Sequence, residues 1–234
     1  MTVTALVSGG KDSIYSAYLA DTQGMHVDEL VTLTPADPDS MMFHTPNLSL
    51  VALQAEAWGK SSRTIEVKGA TETDEVEAVR RALSGARGPV VAGAIASTYQ
   101  WSRLQSVTYE LGRPLYAPLW GKDAGRVVRE EIGAGLEILL VHLAAEPLTP
   151  ELLGRRLDLP LVQEIERRGR EVRPVHVAGE GGEYETLVTD VPDWDRRLVL
   201  DRAERELKGS TSRLVVRGAH LERKASAPGR TPQL

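Results

Sequence analysis

"LVSGGKDSIYSAYLA", residues 6–20, decides the reading of this chain. An apolar run ends at a serine and two glycines. A lysine, an aspartate and a second serine follow, and apolar residues then return at helical spacing. Upstream, "TVTALV" (2–7) is short, apolar and β-branched, as a buried strand is. Downstream, Ile14, Ala17 and Tyr18 fall at i, i+3 and i+4, one face of a helix running to about Thr22. Ser8, Gly9 and Gly10 place small residues where a backbone must come close to a ligand. The helix N-terminus adds N–H groups and partial positive charge, Lys11 adds a full charge, and Ser8 and Ser13 add hydroxyls. Asp12 completes the motif. This is the chemistry of an anion site, with phosphate as the natural guest. The spacing is neither that of the common triphosphate loop nor that of the three-glycine dinucleotide turn.

The rhythm set by this stretch continues. "ELVTLT" (29–34) reads as a strand, followed by the Pro/Asp-rich loop "PADPDS". "HTPN" (44–47) reads as a helix start, with Thr45 as cap and Pro46 at the first helical position. That helix runs through "LSLVALQAEAWG" and stops at Gly59. "RTIEVK" (63–68) alternates as a strand, a charged helix covers about 73–84, and "PVVAGAI" (89–95) reads as a buried strand. "STYQWSRLQSVTYELG" (97–112) reads as a helix with Leu104, Val107 and Leu111 inward. Strand and helix thus alternate for about 120 residues. The pattern predicts an α/β fold, a parallel twisted sheet with helices on both faces. Ligands bind such sheets beyond the carboxyl ends of the strands, where SGGKDS lies.

After "PLWGKD" (118–123) the rhythm changes, so a domain boundary is expected near 124. "LEILLVHL" (136–143) reads as a strand, and charged, Arg-bearing helical segments follow to about 173. Here "GRR" (154–156) and the Arg-rich 166–173 read as solvated helix faces, with docking of an acidic partner as the lesser alternative. The expected organisation is a phosphate-binding α/β domain over 1–123, a smaller C-terminal α/β domain over 124–223, and a polar tail over 224–234.

Composition narrows the function. The 234 residues carry a formal net charge of −5 and are 41% hydrophobic, which argues against holding nucleic acid by bulk charge. No apolar stretch approaches the ~20 residues of a membrane span and no basic signal start is seen, so a cytoplasmic protein is expected. There is no cysteine. Disulfides, thiolate zinc sites, persulfide chemistry and thiol-dependent glutaminase activity on this chain are excluded. Any nitrogen or sulfur it transfers must arrive from elsewhere.

SGGKDS resembles the PP-loop of the ATP pyrophosphatases, a HUP-like superfamily that binds the pyrophosphate of ATP and transfers AMP to a substrate oxygen. "MFHTPN" (42–47), "GAIASTYQWSRLQ" (93–105), "PLWGKD" (118–123), "LGRRLD" (153–158) and above all "GEGGEYETLVTDVP" (179–192) are similar to the diphthine–ammonia ligase family, closest to its archaeal form. The resemblance spans roughly residues 1–200. It implies MgATP as co-substrate, with ATP activating the carboxylate of diphthine, a modified histidine on the translocating elongation factor. Ammonia then makes the amide. Two positions depart from the family pattern: Thr98 stands where Asp or Asn is usual, and Gln105 where Glu is usual. The other readings of the loop are a tRNA-modifying enzyme of the same superfamily and a non-catalytic ATP-binding module. Assembly with further copies of the chain is left open.

"GEGGEYET" (179–186) packs Glu180, Glu183 and Glu185, a tyrosine and three glycines into eight residues. In an extended segment Glu183 and Glu185 share a face and Tyr184 points away. Such carboxylates can hold Mg²⁺ or a cation, or take a proton from ammonium; a plain acidic hairpin is the alternative. The trimethylammonium group of diphthine suits carboxylates and an aromatic face. Glu183 and Glu185 join Lys11 as catalytic candidates, and Glu180, Tyr184 and Thr186 as substrate-binding ones. Lying far along the chain from SGGKDS, the segment is expected to serve the acceptor rather than ATP. His44 and Asn47 flank a helix start, as substrate ligands or as local caps. Gln100 and Arg103, one turn apart, can reach a ligand together, although Arg103 equally suits a surface ion pair. Trp120 closes over adenine or acceptor, or packs in the core.

Overall fold

A computed structural model describes residues 1–35, 47–69 and 71–225. Five strands form the first sheet: β1 (Thr2–Leu6), β2 (His26–Thr34), β3 (Ser61–Glu66), β4 (Val90–Val91) and β5 (Leu115–Tyr116). Their order is β3-β2-β1-β4-β5, and every pair is parallel. The chain moves outward from β1 to β2 and β3, then crosses to β4 on the other side. The order therefore reverses between β1 and β4, and a crevice opens there at the carboxyl ends. SGGKDS leaves β1 on one side of it, and AGAIAS leaves β4 on the other.

Helices cover both faces. α1 (Lys11–Thr22) and α2 (Val51–Ala57) pack with Val3, Ala5, Val27 and Leu30 on one face. α3 (Glu72–Ser84) and α4 (Thr98–Glu110) pack with Val31, Leu33 and Val90 on the other. Val90 and Val91 go to opposite faces, as adjacent strand residues must. Caps set the helix starts: the Thr71 hydroxyl accepts from Asp74 N–H while Asp74 reaches back to the Thr71 N–H, and Ser97 accepts from Gln100 N–H.

The second sheet is antiparallel, in the order β7-β6-β9-β8. It contains β6 (Glu137–Leu143), β7 (Tyr184–Asp190), β8 (Arg196–Lys208) and β9 (Thr211–Arg223), with α5 (Ala124–Gly133) and α6 (Leu159–Glu171) packed beside it. Asp123 and Asp158 cap those two helices. One apolar cluster joins the two sheets, running from Val3, Ile14 and Ile95 to Leu119, Leu140, Leu143 and Val188.

Several expectations are corrected. The strand expected over 89–95 shrinks to Val90–Val91, because β5 offers only two residues to pair with. Beyond it, Gly93 lies so close to α1 that a Cβ there would stand 2.6 Å from Ser13 N. α1 buries more than one stripe: Tyr15, Ser16 and Ala20 are covered along with Ile14 and Ala17, whereas Tyr18 is only partly buried. It lies between the two sheets rather than on the outside of one. The helix expected from Pro46 begins as a 3₁₀ turn at Leu48–Leu50, after Asn47 in the left-handed region at φ 63°. Thr45 and Pro46 lie outside the described residues, as does the tail from 226 onward. Gly59 ends α2 at φ 68°, as read. GRR (154–156) is a turn and an isolated bridge to Leu139 rather than a helix face, with Arg155 paired to Glu164 and Arg156 to Glu137.

Candidate active site

A cavity of about 520 Å³ opens at the β1/β4 crossover. Ser8, Gly10, Lys11, Asp12 and Ser13 line one wall, and Ala92, Gly93, Ala94, Ser97 and Gln100 another. The third wall comes from the second sheet: Gly179 to Gly182, Tyr184, Glu185, Thr186, His142 and Arg213. Residues about 170 positions apart in sequence thus face one space.

Hydrogen bonds hold the SGGKDS turn from several sides. Ser13 Oγ accepts from Ser8 N–H at 3.2 Å and donates to the Gly10 carbonyl at 3.0 Å. The Thr186 hydroxyl accepts from Lys11 N–H at 3.0 Å. The Gly9 carbonyl receives Val188 N–H at 3.0 Å and the amide of buried Gln54 at 3.0 Å; that same amide reaches the Val188 carbonyl at 2.7 Å. Gly9 has φ 82°, and a Cβ there would meet Gln54 Oε1 at 2.8 Å, so glycine is required on both counts. Gln54 was not singled out in the sequence. Its only signal was an uncharged amide within the mostly apolar run VALQAEA (51–57).

Lys11 is not an open charge at the loop mouth. Its ammonium is 1% exposed, 2.6 Å from Asp12 and 3.8 Å from Glu131 of α5. Burial works against the ammonium, but Asp12 and Glu131 outweigh it and lift its pKa above the ordinary lysine value. Glu131 is fully buried and neither of its oxygens has a hydrogen-bond partner. Burial pushes its carboxyl well up, only partly offset by Lys11. Glu180 is raised too, by burial and by Asp12; it accepts the Ala96 N–H at 3.2 Å and so ties the glycine turn to the loop after β4.

GEGGEYET, far along the chain from SGGKDS, lies directly against it. β7 runs beside the start of α1, which places Thr186 on the Lys11 amide and Val188 on Gly9. Glu183 and Glu185 also separate. Both oxygens of Glu183 accept backbone N–H groups, from His176 at 3.0 Å and Gly181 at 2.9 Å, which shapes the turn. Tyr184 is buried and donates to the Val177 carbonyl at 2.5 Å.

Five candidates among the described residues are not on the cavity wall: Gly9, which lies against Gln54 and Val188 instead, Glu183, Asn47, Arg103 and Trp120. The Asn47 amide pairs with β9 backbone at Leu214 O and Val216 N, both at 3.0 Å. Arg103 pairs with Glu72 and lies over the Tyr99 ring, tying α4 to α3. Trp120 stacks on Trp101, ring centroids 4.4 Å apart. His44 lies outside the described residues. Thr98 and Gln105 are both exposed on α4 and off the cavity wall.

With this geometry in hand, sequence comparison is decisive. Residues 1–114 match the model of the diphthamide synthase N-terminal domain, and 123–221 that of its C-terminal domain. The chain belongs to the diphthine–ammonia ligase family. Among relatives so named, that of Rattus norvegicus is 33% identical over 98% of this chain and 96% of its own length. That of Danio rerio is 34% identical over 87% of this chain and 88% of its own, and that of Homo sapiens 32% over 87% and 84%. A solved structure known as the predicted subunit of a tRNA methyltransferase from Methanocaldococcus jannaschii also superposes, at TM-score 0.42 and 16% identity over 82% of this chain and 98% of the other. Among the described residues, no helix is long and apolar enough to cross a membrane.

Proposed function

We propose that the protein is an ATP-dependent, AMP-forming carbon–nitrogen ligase that converts the carboxylate of diphthine, on an elongation factor, to the amide. One observation supports this above others: SGGKDS and GEGGEYET, distant in sequence, are hydrogen-bonded to each other around one cavity. ATP phosphates suit the start of α1, where Gly10 leaves room and Ser8 and Ser13 present hydroxyls. Among the described residues no group of three or more His, Asp or Glu is placed to hold a metal ion. Mg²⁺ would therefore enter bound to the phosphates, as part of MgATP, with Asp12 the nearest carboxylate on the loop. In the first step a carboxylate oxygen of the acceptor attacks the α-phosphorus and pyrophosphate departs toward the loop. In the second, ammonia displaces AMP from the acyl-adenylate.

Residues 1–123 would hold ATP, and 124–223 would supply the wall facing the acceptor, with Glu180 and, from α4, Gln100 reaching it. The absence of cysteine favours free ammonium as the nitrogen donor. The test is incubation with α- and γ-labelled ATP, Mg²⁺, ¹⁵N-ammonium and diphthine-bearing elongation factor. AMP, pyrophosphate and a ¹⁵N-amide on the modified histidine are expected, read by chromatography and peptide mass spectrometry. ADP and orthophosphate as main products would overturn the reading.

A further inference from the structure

His142 stands in the middle of the second sheet and faces the reaction cavity. It is 8% exposed, and both ring nitrogens are buried without a hydrogen-bond partner among the described residues. Buried imidazoles ordinarily have partners, so an unsatisfied one beside a reaction chamber calls for a ligand. Its neighbours say which. The sheet register aligns Glu185 of β7, His142 of β6 and Arg213 of β9 in one row, and all three line the cavity. An irregularity in the β6–β7 register between Leu140 and His142 sets that pairing, and such bulges re-aim side chains beside active sites. Nδ1 of His142 lies 3.4 Å from Glu185 Oε1. A carboxylate at that nitrogen favours the proton there and leaves Nε2 as an acceptor.

A buried acceptor nitrogen next to a carboxylate suits a small cation rich in N–H donors. Arg213 on the other flank repels a cation and attracts an anion, so the row draws a cation to one end and a phosphate or carboxylate to the other. We propose that His142, oriented by Glu185, holds ammonium and takes its proton before the nitrogen attacks the acyl-adenylate. This rests on the ligase reading above and assigns its second half-reaction to a residue outside the motifs. Ammonium gives one proton to His142 Nε2, and the freed lone pair forms the C–N bond. The bond from the acyl carbon to the phosphate oxygen breaks, and AMP leaves with that electron pair. The second proton passes from the tetrahedral nitrogen to the departing phosphate, and His142 returns its own to water. Burial of the pair also keeps water from the acyl-adenylate.

The experiment separates the two half-reactions in the full-length chain. Acceptor-dependent exchange of labelled pyrophosphate into ATP reports adenylation. Amide formed with ammonium reports the second half, and hydroxamate formed with hydroxylamine, largely unprotonated at neutral pH, reports it without a proton to remove. His142→Gln is expected to keep exchange within about threefold while ammonium-dependent amide formation falls roughly 10²–10³-fold. Hydroxamate formation should stay near the wild-type rate. Glu185→Gln should show the same split at smaller amplitude, and it carries the test if His142→Gln does not fold. Equal losses with both nucleophiles, equal loss of exchange, or no loss with ammonium would overturn the proposal. A wild-type protein lacking acceptor-dependent exchange would remove the ligase reading and this proposal together, a failure visible without any variant.

Discussion

Lys11 sits between Asp12 and Glu131 with almost no exposure, so its charge is tied into the fold. Replacing it with methionine leaves Glu131 buried with only the acidic Asp12 and Glu180 as charged neighbours. Breaking one side of a buried ion pair costs about 3–5 kcal/mol. The loss should depend on pH, with a definite sign. The Glu131 carboxyl is raised above its ordinary 4.5, so its favourable contribution is complete below that value and is lost as pH rises through the folded one. Without Lys11 the folded value rises further and the window widens. Lys11→Met should therefore lose less stability at pH 5 than at pH 8, and Lys11→Met with Glu131→Met should recover much of the loss without recovering activity. Urea titrations at the two pH values measure this, and a pH-independent loss would remove the argument.

At the level of elements, the phosphate loop is a junction of three pieces: the turn after β1, the middle of α2 and the strand β7. Gln54 joins them through the Gly9 and Val188 carbonyls. A leucine keeps the apolar stem but stops short of the amide and leaves the Gly9 and Val188 carbonyls without that donor. Gln54→Leu should cost about 1–3 kcal/mol for the lost buried hydrogen bonds. If about 1.4 kcal/mol of this falls on ordering the loop, ATP affinity drops tenfold. Calorimetric titration with a non-hydrolysable ATP analogue reads the second effect and thermal unfolding the first. Unchanged affinity would show that α1 alone shapes the loop.

Over the whole molecule, the two sheets share one apolar cluster, with α1 between them. Val3, Ile14 and Ile95 from the first part meet Leu140, Leu143 and Val188 from the second. Cutting the chain at residue 123 would expose that surface on both pieces. The fragment 124–223 should therefore lack the sharp near-ultraviolet dichroism and dispersed amide resonances of a folded domain, and the intact chain should unfold in one transition. A well-dispersed spectrum from the isolated fragment would contradict a shared core. The cavity lies at the same junction, so activity and cooperative stability depend on the same contacts.

Local order determined much of this. Strand, glycine turn and helix start are written in residues 2–22 because β-branched runs, small residues and i, i+3, i+4 spacing act within a few positions. The glycine turn before α1, most strands of the parallel sheet and the stop at Gly59 follow from such short-range rules. Partners did not. Glu183 and Glu185 look alike in sequence, yet one closes a turn on backbone amides and the other faces a histidine in the cavity. Asn47, Arg103 and Trp120 look like ligands of a site, yet they bind β9, Glu72 and Trp101. Gln54, Glu131 and His142 carry no motif at all. What each contacts is set by sheet order and by the packing of α1 between two sheets, and these bring together residues separated by more than a hundred positions. A side chain's role in a buried, low-dielectric site depends on those neighbours, and only the tertiary structure supplies them.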